Sequence, residues 1–208
     1  MSEQRVFALF STPLYVNNVG AFPRPDLRSL EYASAAETGG VYNFKTSVDK
    51  NVLHRPEFTA VHDLVMKEVD IYAHGLCGVA HNVHFYVTNS WINVHARGQA
   101  AGAHIHGNSL ISGVLYLDVN ETSGDLVFHR DVLSLIPFPP ALDFDVDQFN
   151  IYNCKSWSYK PKVNDICLFP STVMHSADAN ASDQERWCLA FNVFARGTFG
   201  GLHQLSIK

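Results

Sequence analysis

The sequence predicts a mainly β protein with helices confined to its N-terminal part. The body is expected to be an antiparallel sandwich, jelly roll or barrel. Three observations lead there. From His81 onward, short runs rich in β-branched and aromatic residues alternate with turn residues: VHFYV, SWINVH, LISGVLYLDV, DLVFH, SWSY, DICLFP and RWCLAFNVFA. No long amphipathic helix falls among them. The clear helical period lies earlier, over residues 58–73, where Val61, Leu64, Val65, Val69 and Tyr72 recur at spacings of three and four.

The elements follow in chain order. Residues 5–16 read as an extended segment interrupted by Pro13. Residues 24–50 carry a weak pattern of loops and at most a short helix, broken at Gly39-Gly40. The helix over 58–73 is a packing element, with Gly75 and Gly78 just beyond its end. The strand runs then begin. Residues 134–153 differ: Pro137, Pro139 and Pro140 precede Asp143, Asp145 and Asp147, with aromatic residues between. A loop of that length inside a compact domain is usually functional or mobile, and two readings stand equally: a lid or substrate-contact loop, and a surface loop that packs its own aromatics.

Composition sets limits. The 208 residues suit a single domain, expected as a helical or extended support over 1–80 and a β core over 81–200. A hydrophobic content of 47% against 17% charged residues supplies a sizeable core and argues against disorder. The net charge is -5, and the 15 Lys and Arg residues form no basic block, so nucleic acid is disfavoured as a partner. No apolar run approaches the roughly 18 to 20 residues of a membrane span. The start, MSEQRVFALFSTPLY, has a short apolar stretch after Arg5, less than a secretory signal requires, so the expected location is cytoplasmic. Cys77, Cys154, Cys167 and Cys188 show no C-x-x-C pair and are expected to be reduced thiols. A homodimer stays open.

Two strands have informative faces. In 186–193, Trp187, Leu189, Phe191 and Val193 form a bulky apolar side, while Arg186, Cys188, Ala190 and Asn192 form a small or polar one. The first should pack against another layer. The second should line a cavity, with Arg186 projecting into it. In 110–117, Ile111, Leu115 and Leu117 oppose Ser112, Val114 and Tyr116 in the same way. Trp91, Trp157 and Trp187 are expected in the core.

The chemistry concentrates in residues 101–117. His104 and His106 are two apart, so in a strand both imidazoles leave one face and can share a metal ion. Imidazole suits Fe, Zn, Cu and Ni alike. His175 follows D-I-C-L-F-P-S, a strand and turn that place it at a strand mouth, and Arg186 comes one strand later. Three protein ligands leave other positions of an octahedral ion open, and arginine offers a planar fork for a carboxylate. His129 and His95 are weaker candidates for the site lining. His54, His62, His74, His81, His84 and His203 have no partner pattern and are expected to be structural or solvated.

Residues from about 90 to 197 resemble the double-stranded β-helix (jelly-roll, cupin-like) core of the 2-oxoglutarate- and Fe(II)-dependent oxygenases. The nearest likeness is to a group of small proteins from marine bacteria and their phages, with prolyl-hydroxylase-like relatives sharing the skeleton. The resemblance is carried by W-x-N at Trp91 to Asn93, H-x-H-x-x-x-x-x-S-G-V-x-Y-L from His104 to Leu117, and S-G-D-L-V-F-H from Ser123 to His129. D-x-x-L-F-P-S-x-x-x-H from Asp165 to His175 and N-x-S-D-x-E-R from Asn180 to Arg186 complete it. It implies His104, His106 and His175 as ligands of Fe(II), and Arg186 as the partner of the distal carboxylate of 2-oxoglutarate, assisted by Tyr116. Asn93 and Ser112 become further candidates for contact with the cosubstrate.

The implied reaction is a hydroxylation coupled to oxidative decarboxylation of 2-oxoglutarate. Its partners are 2-oxoglutarate, dioxygen and an unidentified substrate, and for a phage-encoded member the location would be the host cytoplasm. The wider superfamily has H-x-D or H-x-E where this chain has His104 and His106. A neutral imidazole there leaves one more positive charge at the metal. Asp125, the nearest substitute carboxylate, is expected to be a solvated turn residue. Two other readings remain at this stage: a cupin-like three-histidine metalloenzyme that uses no oxoacid, and a non-enzymatic jelly-roll binding module.

Overall fold

The computed structural model describes residues 5–9, 11–37, 43–130, 145–200 and 205–207. Its strands are β1 Tyr15–Asn18, β2 Tyr32–Ser34, β3 Lys45–Ser47, β4 Val83–His95, β5 Ala101–His104, β6 Ile111–Asp118, β7 Leu126–His129, β8 Ser156–Tyr159, β9 Asp165–Pro170, β10 His175–Ala177, β11 Arg186–Phe199 and β12 Leu205–Ile207. The larger sheet runs β1-β9-β6-β11-β4-β3-β2, with β12 added to β11. The smaller runs β5-β10-β7-β8. The pairings between strands are antiparallel throughout. This is the expected double-stranded β-helix.

The helix α1 spans Thr59–Asp70 and continues as a π turn, Ile71–Leu76, closed by Cys77 N–H donating to the Tyr72 carbonyl at 2.9 Å. Gly78, at φ +66°, takes the chain out of it. Val61, Val65, Val69 and Tyr72 point into the core, as their spacing requires. They pack on the outer face of the larger sheet against Leu115, Leu189, Phe191 and Val193. Glu68 is buried on the same helix. It accepts from Tyr15 Oη at 2.6 Å and Asn17 Nδ2 at 3.0 Å, which ties β1 to the helix. No described helix is long and apolar enough to cross a membrane.

Both face assignments hold. Ile111, Leu115 and Leu117 join the outer core with Leu189, Phe191 and Val193, while Trp187 packs at its border and meets Tyr32 edge-on at 5.7 Å. Gly113 completes the outer face of β6. A Cβ there would lie 2.1 Å from Phe191 Cζ, so the missing side chain is the slot that holds the Phe191 ring.

Several expectations need correction. The N-terminal segment becomes a strand only at Tyr15, and Val6, Phe7 and Leu9 are exposed. Residues 24–50 contain two three-residue strands, β2 and β3, too short to leave an alternation signal. Trp157 is 52% exposed on β8, at the free edge of the smaller sheet, and is not a core residue. Of the segment 134–153, residues 134–144 lie outside the described residues, as do Gly39-Gly40 and His203. The described remainder is held by Arg130, whose guanidinium donates to the carbonyls of Ile151 at 2.6 Å and Tyr152 at 3.0 Å.

Candidate active site between the two sheets

The inner faces of the two sheets enclose a cavity of about 80 Å³. The larger sheet contributes Trp91, Asn93 and His95 from β4, Ser112, Val114 and Tyr116 from β6, Phe169 from β9, and Arg186, Cys188 and Ala190 from β11. The smaller sheet contributes His104, His175, Ser176 and Leu126. The small residues foreseen on the inner face of β11 leave this space open. A wider cleft of about 510 Å³ adjoins it, lined by Thr88, Asn89, Trp91, residues 104–108 and Asn192.

His104, His106 and His175 converge where cavity and cleft meet. Their ligand atoms all lie within 4.8 Å of one another, so the group could hold one metal ion. His104 ends β5 and stands opposite His175, the first residue of β10. His106 lies beyond the strand, anchored by its backbone N–H donating to the Ser171 carbonyl at 3.0 Å. His104 Nδ1 pairs with the Gly102 carbonyl at 2.8 Å, and His175 Nδ1 with the Val173 carbonyl at 2.9 Å. A carbonyl only accepts, so each Nδ1 carries the proton and each Nε2 keeps its lone pair for a metal. Burial, reinforced by the neighbouring imidazoles His104, His106 and His129, holds His175 down to about 4. His106 is lowered by burial first and by His104 second. Both shifts favour the neutral, ligating form. Among the described residues the group contains no carboxylate, and Asp125 is not part of it.

His106 is oriented differently from its partners. The Asn192 side chain hydrogen-bonds its ring, and Asn192 Oδ1 accepts from Ser112 Oγ at 3.0 Å. Ser112 Oγ also meets Ser171 Oγ at 2.8 Å, and Ser171 Oγ donates to Ser109 Oγ at 2.8 Å. Ser112 therefore lines the cavity with its hydroxyl already engaged behind His106.

Arg186 is 2% exposed. Its Nη1 donates to the carbonyls of Ser123 at 2.8 Å and Asp178 at 3.1 Å, while Nη2 is buried without a partner among the described residues. Two loops supply these carbonyls, and they meet at Gly124, φ +86°, where a Cβ would lie 2.6 Å from the Asp178 carbonyl oxygen. Asn180, fully buried, donates to the carbonyls of His95 at 2.9 Å and Gln184 at 2.7 Å and so fixes the turn that leads into Arg186. Tyr116 and Asn93 line the same cavity, and Asn93 Oδ1 is also buried without a partner. Burial raises the Tyr116 hydroxyl well above its ordinary value, so it stays a donor.

A buried cation without an ion pair among the described residues, one of its donors unused, fits a carboxylate-bearing ligand. Three imidazoles with free lone pairs fit a divalent first-row metal. The site thus accommodates both groups.

Some lining residues were not singled out by sequence reasoning. Trp91, expected in the core, faces the cleft with its ring stacked beside His106 at 6.0 Å. Its alternation with Asn93 and His95 was the available signal. Asn192 had been placed on the inward face, but its bond to His106 had no sequence signature. His129 sits behind the lining, its Nε2 paired with Ser176 Oγ at 2.8 Å.

Fold and site together define a double-stranded β-helix protein with a histidine group able to hold a metal and a buried arginine facing the same cavity. Residues 89–192, half of the chain, match the family described as "Putative 2OG-Fe(II) oxygenase". The chain belongs to this family. It is a 2-oxoglutarate- and Fe(II)-dependent oxygenase, with 2-oxoglutarate and dioxygen as cosubstrates.

Solved structures share the fold at low identity. An oxidoreductase of the 2OG-Fe(II) oxygenase family from Burkholderia pseudomallei is similar at 13% identity over 80% of this chain and 72% of that one, TM-score 0.55. HygX from Streptomyces hygroscopicus, solved with nickel, 2-oxoglutarate and hygromycin B, is similar at 11% identity over 88% of this chain and 82% of its own, TM-score 0.56. SnoK, an alpha-ketoglutarate-dependent carbocyclase from nogalamycin biosynthesis, aligns at 16% identity over 82% and 71%, TM-score 0.50. No curated protein sequence matches the chain.

Proposed function

We propose that this enzyme is a hydroxylase whose iron is held by His104, His106 and His175, and whose 2-oxoglutarate is held at its distal carboxylate by Arg186. The observation that carries this reading is the unpartnered Nη2 of Arg186, buried in the same cavity that the three histidines line. Iron with bound 2-oxoglutarate supplies the oxidising chemistry, in which dioxygen gives one oxygen to succinate, formed with loss of carbon dioxide, and one to the substrate.

The chain's own residues bind and orient. Arg186 Nη2 donates to the distal carboxylate, and the Tyr116 hydroxyl adds a second donor. Asn93 lines the path between that end and the metal. Ser112 acts on the wall, holding Asn192 and through it His106. Leu126, Phe169 and Ala190 keep the cavity dry, which strengthens each polar contact inside it. The substrate enters by the outer cleft, where Thr88, Asn89, Asn108 and Asn192 offer hydrogen bonds beside Trp91. Among the described residues, the lining of that cleft holds no Asp, Glu, Lys or Arg, which suits a substrate uncharged at its reacting end.

The test is an anaerobic titration of metal-free protein with Fe(II), then with 2-oxoglutarate. A visible charge-transfer band appearing only after the second addition is the expected result. Tight Fe(II) binding with no response to 2-oxoglutarate would reject the assignment of Arg186.

A further inference from the structure

His95 is 2% exposed, and both of its ring nitrogens are buried without a partner among the described residues. A neutral imidazole carries one N–H, so whichever tautomer is present leaves a donor unsatisfied. An apolar side chain would occupy that position without this penalty. The ring is stacked on Phe44, centroids 4.2 Å apart at 30°, which fixes its plane and offers its edge to the cavity. In the β4/β11 ladder His95 stands directly opposite Arg186. Two buried side chains on paired strands thus face one cavity, each with an unused donor, and among the described residues Arg186 forms no ion pair.

We propose that His95 is a second cosubstrate-binding residue, whose ring N–H donates to the carboxylate that Arg186 Nη2 holds. The inference rests on the reading of this cavity as the 2-oxoglutarate site. A carboxylate has two oxygens and about four lone-pair positions, so it can take a donor from each strand. Burial, and then the positive charge of Arg186, keep His95 uncharged, lowering it to about 3. The pair then carries one positive charge against one negative, and the bound carboxylate is neutralised rather than overcompensated. His95 would therefore contribute selectivity for a dicarboxylate over an oxoacid that ends in a methyl group.

The test compares two ligands on anaerobic Fe(II)-loaded protein by calorimetry: 2-oxoglutarate, and 2-oxopentanoate, which keeps the oxoacid head and chain length but lacks the distal carboxylate. His95→Phe should weaken 2-oxoglutarate binding about tenfold or more and leave 2-oxopentanoate within about twofold. His95→Gln, which restores an N–H donor, should recover a large part of the loss. Equal weakening of both ligands, or unchanged 2-oxoglutarate affinity in both variants, would overturn the proposal. Wild-type protein that binds Fe(II) but prefers 2-oxopentanoate to 2-oxoglutarate would instead overturn the assignment of the cavity, and this inference with it.

Discussion

His104 and His175 stand directly opposite each other across the β5/β10 ladder, with ring centroids 4.4 Å apart. Two members of the proposed metal group, 71 positions apart in sequence, are therefore fixed by backbone pairing, and His106 joins them from the loop that follows β5. The geometry rests on strand register, so a one-residue slip of β10 would turn His175 to the other face.

Alanine at His104, His106 or His175 should sharply reduce stoichiometric Fe(II) binding, measured anaerobically on purified protein. Full retention by His106→Ala would remove that residue from the site and leave a two-histidine centre.

Arg186→Ala should weaken 2-oxoglutarate by roughly 1.5 to 3 kcal/mol, or about 10- to 150-fold, the worth of a hydrogen-bonded charged pair. Arg186→Lys keeps the charge but not the fork and should lose less. An Arg186→Ala protein with wild-type affinity would contradict the assignment.

Asn192→Ala removes the group that orients His106 and leaves all three proposed ligands in place. Iron affinity should fall about 10- to 100-fold, the usual effect of losing such a support. An equilibrium competition with a chelator of known affinity measures it, and no change would show that the backbone bond of His106 to Ser171 suffices.

Gly113→Ala places a methyl group inside the Phe191 ring. Overpacking there should cost about 1 to 3 kcal/mol in urea unfolding, and Gly113→Val more. A neutral result for both would mean that Phe191 can leave its slot freely.

His95 makes the metal-free protein acid-sensitive. Its folded value is about 3, against about 6.5 for an exposed histidine, so the unfolded chain takes up a proton first as pH falls. Its effect on stability is absent above about pH 6.5, and below that the folded state loses stability progressively toward pH 3. The slope is on the order of 1 kcal/mol per pH unit. Chemical denaturation at pH 7 and pH 5 should show a smaller difference in His95→Phe than in wild type.

The β core was legible because alternation survives in β6 and β11, where every inward and outward residue fell on the expected face. The histidine group was legible from spacing, with one difference: β5 ends at His104, so His106 joins the group from the loop beyond and not from the same strand face. Other features were hidden. Thr88 is an extra residue in β4, since Asn89 pairs with Asn192 but Val87 with Val193. That bulge lets Thr88 and Asn89 both reach the cleft while Val87 turns into the core, which no strict period predicts. The support of His106 joins Ser109, Ser112, Ser171 and Asn192, residues that become neighbours only when β6, β9 and β11 pair. Trp91 was read by residue type rather than by position, and the alternation around Asn93 and His95 was the better guide.

The three histidines belong to the smaller sheet and its adjoining loop, whereas Arg186 belongs to the larger. A dicarboxylate bound at both ends would therefore act as a strut between the two layers of the sandwich. Prising the layers apart would then mean giving up ligand as well as apolar contact. By mass action, cosubstrate at 100 times its dissociation constant would add about 2.7 kcal/mol to the folded state. The level of one metabolite would then set how firmly the two halves of this enzyme hold together.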